Sequence, residues 1–503
     1  MMKIGLNVFE HQMLQGLPEF ALPLRDGADF IFCHTSPDRM GFPDEYEKAE
    51  KLAALAEERG MGLIADFEFQ NADASRKGTD GHEWCVAPDG GHRLVPDPAF
   101  IAALAARGNL WGVVYDEFEY AISTRNLSQW WGNKLRFGCH AFPPLPTRDA
   151  YEQGEALSAA LADYVETVKN TGVTAFAGEH VFPILYHTFA RNGMIPNYKS
   201  MKESCTNLQF AVAAGAALEY GTPLWTCVDL WYRQSFPGHT ADELYANLVF
   251  SYLAGADLAY VESSPVLVKD GELNDRGEAF CRFVREYRGK ERDYGIADYR
   301  PEIGVIRYDD TYWGQNAFWD RGLYGNGRIR PDGRSKEWIL AVDAVTFGES
   351  GRASFNLNRI DRTLLQKHRS FCSMNALAVF DDRVRRDTLS SLKLAFLCGI
   401  HISPETLSDV AALVRENGLT VVTPPRFLPQ RFRLLTKGEL TQIADGAGTW
   451  IVTEDLCSPA LRRLIAPFLG EQGTVRLPFA DREIVLRIAP DGDGFSCRVN
   501  QKS

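Results

Sequence analysis

The sequence predicts a (β/α)8 barrel followed by a smaller α/β domain and a short antiparallel β unit. Three observations predict it. From the N-terminus to about residue 290, short apolar runs alternate with helical patterns, and eight strand–helix units in roughly 250 residues are the regular length of such a barrel. Acidic residues stand at or just beyond the ends of strands four to eight, the end at which a parallel barrel opens onto its ligand. Past Gly295 the pattern changes, first to further strand–helix pairs and then, from Gly473, to alternating apolar and polar residues. A doubly wound sheet would give the same early alternation, but the regular unit length favours the barrel. The expected domains are 1–295, 296–470 and 471–503.

Taken in order, Lys3–Phe9 and Asp29–His34 are strands, followed by a helix from Asp44 to Arg59 whose Ala49, Leu52, Ala53 and Ala56 form an apolar stripe and whose Gly60 supplies a left-handed cap. Gly62–Phe69 is the third strand, Asp97–Arg107 a helix and Leu110–Glu117 the fourth strand. A long excursion from 121 to 150 then carries Trp130, Trp131 and several prolines, and a loop of that length is usually functional. The helix Ala150–Thr171 precedes a fifth strand, Val173–Ala177, which leads into Glu179 and His180. A helix over Phe182–Arg191 is followed by a short, weakly apolar sixth strand near Asn197–Met201, ending in Lys202-Glu203. The helix Asn207–Tyr220, closed by Gly221, leads to strand seven, Pro223–Leu230, with Asp229 and Trp231 at its far end. Thr240 to Glu243 is a capping box opening a helix to Leu253. Strand eight, Leu258–Val261, ends in Glu262, and Asp275–Tyr287 is the last barrel helix.

Beyond it, strands at Pro301–Tyr308, Ala376–Phe380, Leu392–Leu397, Leu419–Val422 and Gly448–Thr453 alternate with helices at Lys336–Phe347 and from Ser403 to Gly418. That order reads as a parallel sheet flanked by helices. Val475–Pro478, Glu483–Ile488 and Phe495–Val499 surround the turn Asp491-Gly492-Asp493-Gly494 and read as antiparallel strands.

The 503-residue chain is 45% hydrophobic and 24% charged, ordinary values for a folded protein. Its formal net charge of −12 argues against a nucleic-acid partner. No apolar run approaches the roughly 20 residues of a membrane helix, and the first strand turns polar too early for a signal peptide. The ten cysteines are scattered without a C-x-x-C spacing, which fits reduced thiols in a cytoplasmic protein. In Cys33-His34 and Cys139-His140 neighbouring side chains point to opposite faces, so no metal is expected. Cys398-Gly399 follows a strand like a nucleophile elbow, but Leu397 stands where the turn favours glycine, so an inert buried thiol is expected.

The chemistry is expected around Asn109-Leu-Trp-Gly-Val-Val-Tyr-Asp-Glu-Phe-Glu-Tyr120, an apolar strand that ends in Asp116, Glu117 and Glu119. Unpaired charges at a strand end cost energy, whereas at a barrel mouth carboxylates perform acid, base and nucleophilic work. Cleavage of a glycosidic bond needs one carboxylic acid and one carboxylate several ångströms apart. Glu117 and Glu119 share a side-chain parity and Asp116 faces the other way, so only one set points at the substrate if the chain stays extended. Glu117 is the expected acid, with Asp116 orienting it or touching a hydroxyl. For the second carboxylate the sequence favours Glu203, kept ionised by Lys202, and then Asp229, Glu179 and Glu262. Trp84, Trp130, Trp131, Trp231 and Tyr232 fall in loops on the same side, where sugar C–H faces pack on rings; Glu119, His180 and Glu262 complete the expected substrate contacts. No glycine-rich phosphate loop occurs, and no organic cofactor is expected.

The layout is similar to that of the family-42-type β-galactosidases. Tyr115-Asp116-Glu117, Trp225–Trp231, Gly277-Glu278-Ala279-Phe280 and Leu394–Ser403 carry the resemblance. It implies a catalytic barrel, a flavodoxin- or glutaminase-like α/β domain, a small C-terminal β unit, and a homo-oligomer, dimer or trimer. Those enzymes have Asn-Glu where this chain has Asp116-Glu117, and a Glu at strand seven where it has Asp229, so the sugar does not carry over. Strand four also resembles the chitinase-type strand ending in Asp-x-Glu, without its spaced aspartates. The resulting expectation is a glycoside hydrolase acting on oligosaccharides; the alternatives are a non-catalytic sugar-binding barrel and a cofactor-free lyase or isomerase.

Overall fold

A computed structural model describes residues 1–9, 27–35, 43–67, 98–116, 149–180, 182–201, 204–230, 238–262, 264–269, 272–313, 323–325, 329–349, 369–436 and 438–501. Eight parallel strands close into a barrel in sequence order. They are β1 Lys3–Phe9, β2 Phe30–Thr35, β3 Gly62–Phe67, β4 Leu110–Tyr115, β5 Phe176–His180, β6 Ile195–Ser200, β7 Trp225–Asp229 and β8 Leu258–Glu262. The helices between them are α1 Pro43–Glu58, α2 Pro98–Ala106, α3 Ala150–Lys169, α4 Tyr186–Arg191, α5 Thr206–Tyr220 and α6 Ala241–Leu253, and α7 Asp275–Tyr287 follows β8. The expected capping box is present, with Thr240 accepting from Glu243 N–H. β5 starts three residues later than the sequence predicts and runs through Glu179 and His180, and β6 ends at Ser200, before Lys202.

Residues two apart on a strand share a face, and this period builds the barrel interior. Phe30, Phe32, Ile64, Val114, Ala177, Ile195, Trp225, Cys227, Leu258 and Tyr260 form one buried cluster inside the barrel, with Phe32 stacked 4.1 Å from Tyr260. It is a filled core, and whatever stands two residues beyond it points into the mouth.

Outside the barrel, β9 Val268–Lys269 and β10 Glu272–Leu273 form a small hairpin. A six-stranded sheet follows, built from β11 Ile303–Ile306, β13 Leu377–Phe380, β14 Leu394–Leu397, β15 Thr420–Thr423, β16 Leu440–Asp445 and β17 Gly448–Thr453. Its order is β13-β11-β14-β15-β17-β16, parallel except for the edge strand β16. That is the flavodoxin-type doubly wound order with one antiparallel strand added. Helices α8 Gly333–Val345 and α9 Pro404–Asn417 belong to this unit. The antiparallel strands β18 Thr474–Pro478, β19 Arg482–Ile488 and β20 Phe495–Gln501 gain a fourth partner from β12, Met374–Asn375. The eight described cysteines are free thiols. Among the described residues no helix is long and apolar enough to cross a membrane.

Helix α5 joins barrel to sheet. It is buried from Thr206 to Ala217, as a helix apolar on nearly every side must be. Gly215 permits its close approach to β13, since a Cβ there would lie 1.7 Å from the Val379 carbonyl oxygen. Asn207 bonds both backbone groups of Cys372, at 2.7 and 3.0 Å, and His187 Nε2 lies 2.9 Å from Val379 O. Gly215→Ala is therefore expected to destabilise the protein by about 2 kcal/mol, the cost of overpacking a tight contact, although alanine is the better helix former. Urea unfolding measures this, and a change within about 0.5 kcal/mol would mean that helix and sheet separate without cost.

Candidate active site

Each acid at the barrel mouth stands two residues beyond an inward-facing side chain of the core. Asp66 follows Ile64, Asp116 follows Val114, Glu179 follows Ala177, Asp229 follows Cys227, and Glu262 follows Tyr260. All five are buried. On β6 the same face presents Ile195, Asn197 and then Lys199, a lysine 2% exposed.

Lys199 is the centre of the site. Its Nζ lies 2.7 Å from Glu179 Oε1, 3.0 Å from Glu262 Oε2, 3.5 Å from Asp116 Oδ1 and 3.9 Å from Asp229 Oδ2. Strands β4, β5, β7 and β8 thus send one carboxylate each to a single ammonium from β6. Glu179 Oε2 also accepts from Tyr260 O–H, and from Asn197 Nδ2 at 3.0 Å. Asn197 Nδ2 reaches Tyr260 Oη at 2.8 Å, and the Cys227 thiol donates to Glu262 Oε2 at 3.2 Å.

The charges follow from burial and proximity. Burial opposes the Lys199 ammonium, but Asp116, Glu179, Glu262 and Asp229 together hold its pKa well above the usual lysine value. It is a fixed cation and offers no free amine for imine chemistry. One ammonium cannot neutralise four carboxylates. Burial first, then Asp116, Glu262 and Asp66, push the Glu179 carboxyl well above the ordinary range, with Lys199 pulling against them. The mouth thus concentrates more carboxylates than its one ammonium offsets.

Oxygen and sulfur atoms of Glu179, Cys227 and Glu262 lie within 4.8 Å of one another and form the one metal-sized donor group among the described residues. Lys199 already stands against both of these carboxylates, so positive charge there comes from the protein itself. A cavity of about 340 Å³ lined by Lys3, Asp29, Arg59, Trp111 and Arg288 opens at the opposite, N-terminal end of the strands and brings no acids together.

Of the residues expected from sequence, Asp116, Glu179, Asp229 and Glu262 are brought together. Asp116 faces the barrel axis, because parity is counted from inward-facing Val114. His180 takes the face opposite to Glu179; Phe182 N–H donates to its Nδ1 at 3.0 Å and Tyr186 O–H to its carbonyl at 2.7 Å. Glu117, Glu119, Glu203, Trp84, Trp130, Trp131, Trp231 and Tyr232 lie outside the described residues. Lys199 and its support Asn197 were missed. Their signal was two polar residues at alternate positions of a strand whose neighbours are apolar. Cys398 is 1% exposed, and burial pushes its thiol well above the usual range, as an inert cysteine requires.

No family model matches the sequence, and no curated protein matches it. Solved structures do. A β-galactosidase from Rahnella sp. R3 aligns over 99% of this chain and 98% of its own, with TM-score 0.56 and 10% identity. An exo-carrageenase of family GH42 from Bacteroides ovatus covers 96% of this chain and 73% of its own, at TM-score 0.42 and 9% identity. A GH5_18 enzyme from Streptomyces cattleya, solved with Manβ1-4GlcNAc, covers 76% of this chain and 99% of its own, at TM-score 0.41 and 13% identity. These structural neighbours are glycoside hydrolases, and the Rahnella enzyme shares this chain's architecture from end to end: a (β/α)8 barrel with further sheets outside it.

Proposed function

We propose that the chain is a glycoside hydrolase that cleaves O-glycosidic bonds of oligosaccharides at the C-terminal mouth of its barrel. The observation that carries this reading is the convergence of four strand-end carboxylates on Lys199. An oxocarbenium-like transition state calls for preorganised negative charge and one proton-bearing carboxyl. In this reading Glu117, next to Asp116, protonates the leaving oxygen, and Asp229 is the attacking carboxylate. Asp229 is preferred to Glu179, whose raised pKa suits a proton carrier better than a nucleophile. Glu203 remains the rival. Glu119 and Glu262 would meet sugar hydroxyls, and Trp84, Trp130, Trp131, Trp231 and Tyr232 sugar faces; His180, turned to the helices on the opposite face of β5, would not.

A panel of nitrophenyl glycosides tests the activity, beginning with galactosides because the Rahnella neighbour is a β-galactosidase. On the responding substrate, Glu117→Gln is expected to lower kcat by about 10² to 10⁴, the usual worth of a general acid. Circular dichroism and melting should hold, since the swap preserves shape. Activity within about threefold of wild type would remove Glu117 from the mechanism.

One observation favours a second reading, a non-catalytic sugar-binding barrel. Lys199 and Glu179 are 2% and 0% exposed, as in a closed structural ion cluster. Binding of sugars without turnover of any glycoside would select it, and unsaturated or rearranged products would select a lyase or isomerase. The sheet outside the barrel supports a homo-oligomer, dimer or trimer. Leu434 and Leu435, in the short helical turn Gln430–Leu435 ahead of β16, are 93% and 52% exposed, and β16 is an edge strand of the sheet among the described residues. Light scattering at micromolar concentration is expected to give a multiple of the chain mass, and the mass of one chain would refute association.

A further inference from the structure

The six-stranded sheet carries polar groups for which glycoside cleavage has no use. In its order β13-β11-β14-β15-β17-β16, the connections from β11 and from β14 leave in opposite directions. Open α/β sheets hold their ligands at this point, outside the carboxyl ends of the two central strands. Arg307, directly after β11, is 1% exposed. Its Nη1 lies 2.9 Å from Asp309 Oδ1 and donates to Tyr308 O at 3.4 Å. Its Nε and Nη2 are buried and meet no acceptor among the described residues. Those two N–H groups form one edge of the guanidinium, the side-on fork that takes two oxygens of a carboxylate or phosphate in parallel.

The neighbours repeat the pattern. The Arg307 guanidinium lies 4.2 Å over the Trp338 ring, and Trp338 packs 5.2 Å from Trp313. Both indoles are buried, and neither Nε1 has an acceptor among the described residues. The wall on the β14 side is Gly399, where a Cβ would stand 3.5 Å from that of Arg307. Gly399 N–H donates to Glu337 Oε2 at 3.0 Å, and Arg426 is held on Glu337 and on the Gly399 carbonyl. Arg426 Nε is again buried without an acceptor. Folded proteins leave few buried donors unpaired, yet Arg307, Trp313, Trp338 and Arg426 together carry five N–H groups that find no acceptor among the described residues. Water would bring donors of its own. A surplus of donors calls for a ligand that only accepts.

We propose that the crevice between the carboxyl ends of β11 and β14 binds a small oxyanion, the carboxylate or phosphate group of a metabolite, with Arg307 as its bidentate anchor. Arg426 and the two indole N–H groups add donors around it. Asp310 adds one buried acceptor without a partner among the described residues, Oδ2, but burial raises its carboxyl to about 7, so it carries a full negative charge only above neutral pH.

The test uses the full chain with inorganic phosphate and, separately, acetate as probes, against chloride at matched ionic strength. Saturating probe is expected to raise Tm by about 3 °C, release heat in titration calorimetry and change tryptophan fluorescence. Arg307→Lys removes the fork and is expected to weaken binding at least about tenfold. Trp338→Phe keeps the stack, loses one donor and should weaken binding about threefold, which covers the case in which Arg307→Lys fails to fold. Arg476→Lys, remote from the crevice, should change nothing. A response to phosphate alone assigns a phosphate ester, and one to acetate alone a carboxylate. No response to either in the wild type, a response unaltered in both crevice variants, or a crystal structure in phosphate with only water on Nε and Nη2 would overturn the proposal.

Discussion

Lys199→Met is expected to destabilise the protein by about 3 to 5 kcal/mol, the cost of removing one partner from a buried ionic group, and to leave no measurable turnover. The side chain fits in volume, so the loss is electrostatic. Four carboxylates that shared an ammonium at 2.7 to 3.9 Å would face one another without it. The pH dependence identifies the cause. Glu179 already has a raised pKa with the lysine present, and without the cation its neighbours join it. Groups with folded pKa values above their unfolded ones of about 4 to 4.5 contribute stability that is full below those values and lost as pH rises through the folded ones. Urea unfolding should therefore show a wide gap between variant and wild type at pH 8 and a narrower one at pH 5. An equal gap at both would mean that Lys199 acts by packing. Lys199→Arg, which keeps the charge but not the shape, should recover stability better than activity.

The barrel was legible because its signal is large. Each strand is a short apolar run, each helix a periodic one, and the acids recur at one end. The edge hairpin was not. β16 exposes most of one side and buries only Ile443 fully, so a strand whose apolar Leu440, Ile443 and Ala444 do not alternate leaves little pattern to read, even beside a turn whose Gly446 takes φ +65°. Which acids beyond β4 turn inward stayed open in the sequence for a related reason. Val113, Val114 and Tyr115 are all buried, since one face meets the barrel core and the other the helices, and an apolar run on both faces does not say which acid beyond it turns inward.

Lys199 was hidden by the expectation that a buried strand is apolar throughout. In a barrel that rule holds only for the lower layers. Near the mouth the inward positions line the site, and Asn197 and Lys199 weaken the strand signal because they belong to it. Counting two residues beyond each inward apolar side chain would have gathered Asp66, Asp116, Glu179, Asp229 and Glu262, and the same count on β6 gives Lys199. Local rules fail where function is built.

The nucleophile gives the second large effect. Asp229→Gly is expected to lower turnover of a nitrophenyl glycoside by about 10⁴ or more, since a covalent intermediate can no longer form. Sodium azide should then restore turnover, because the small anion enters the space of the missing carboxylate and attacks from its face. The product would be a glycosyl azide of inverted anomeric configuration, whereas the wild type retains configuration through two inversions. Asp229 makes this claim because its carboxylate stands 3.9 Å from the Lys199 ammonium, which favours the ionised form that an attacking group needs. Glu203→Gly and Glu262→Gly are the parallel experiments. Rescue in either, without rescue in Asp229→Gly, moves the role to strand six or eight. If azide rescues none of them and the wild type yields inverted product, then water attacks directly. The working carboxyls would then stand about 6.5 to 9.5 Å apart, wider than the Glu179–Glu262 pair within 4.8 Å, so those two would not both be catalytic.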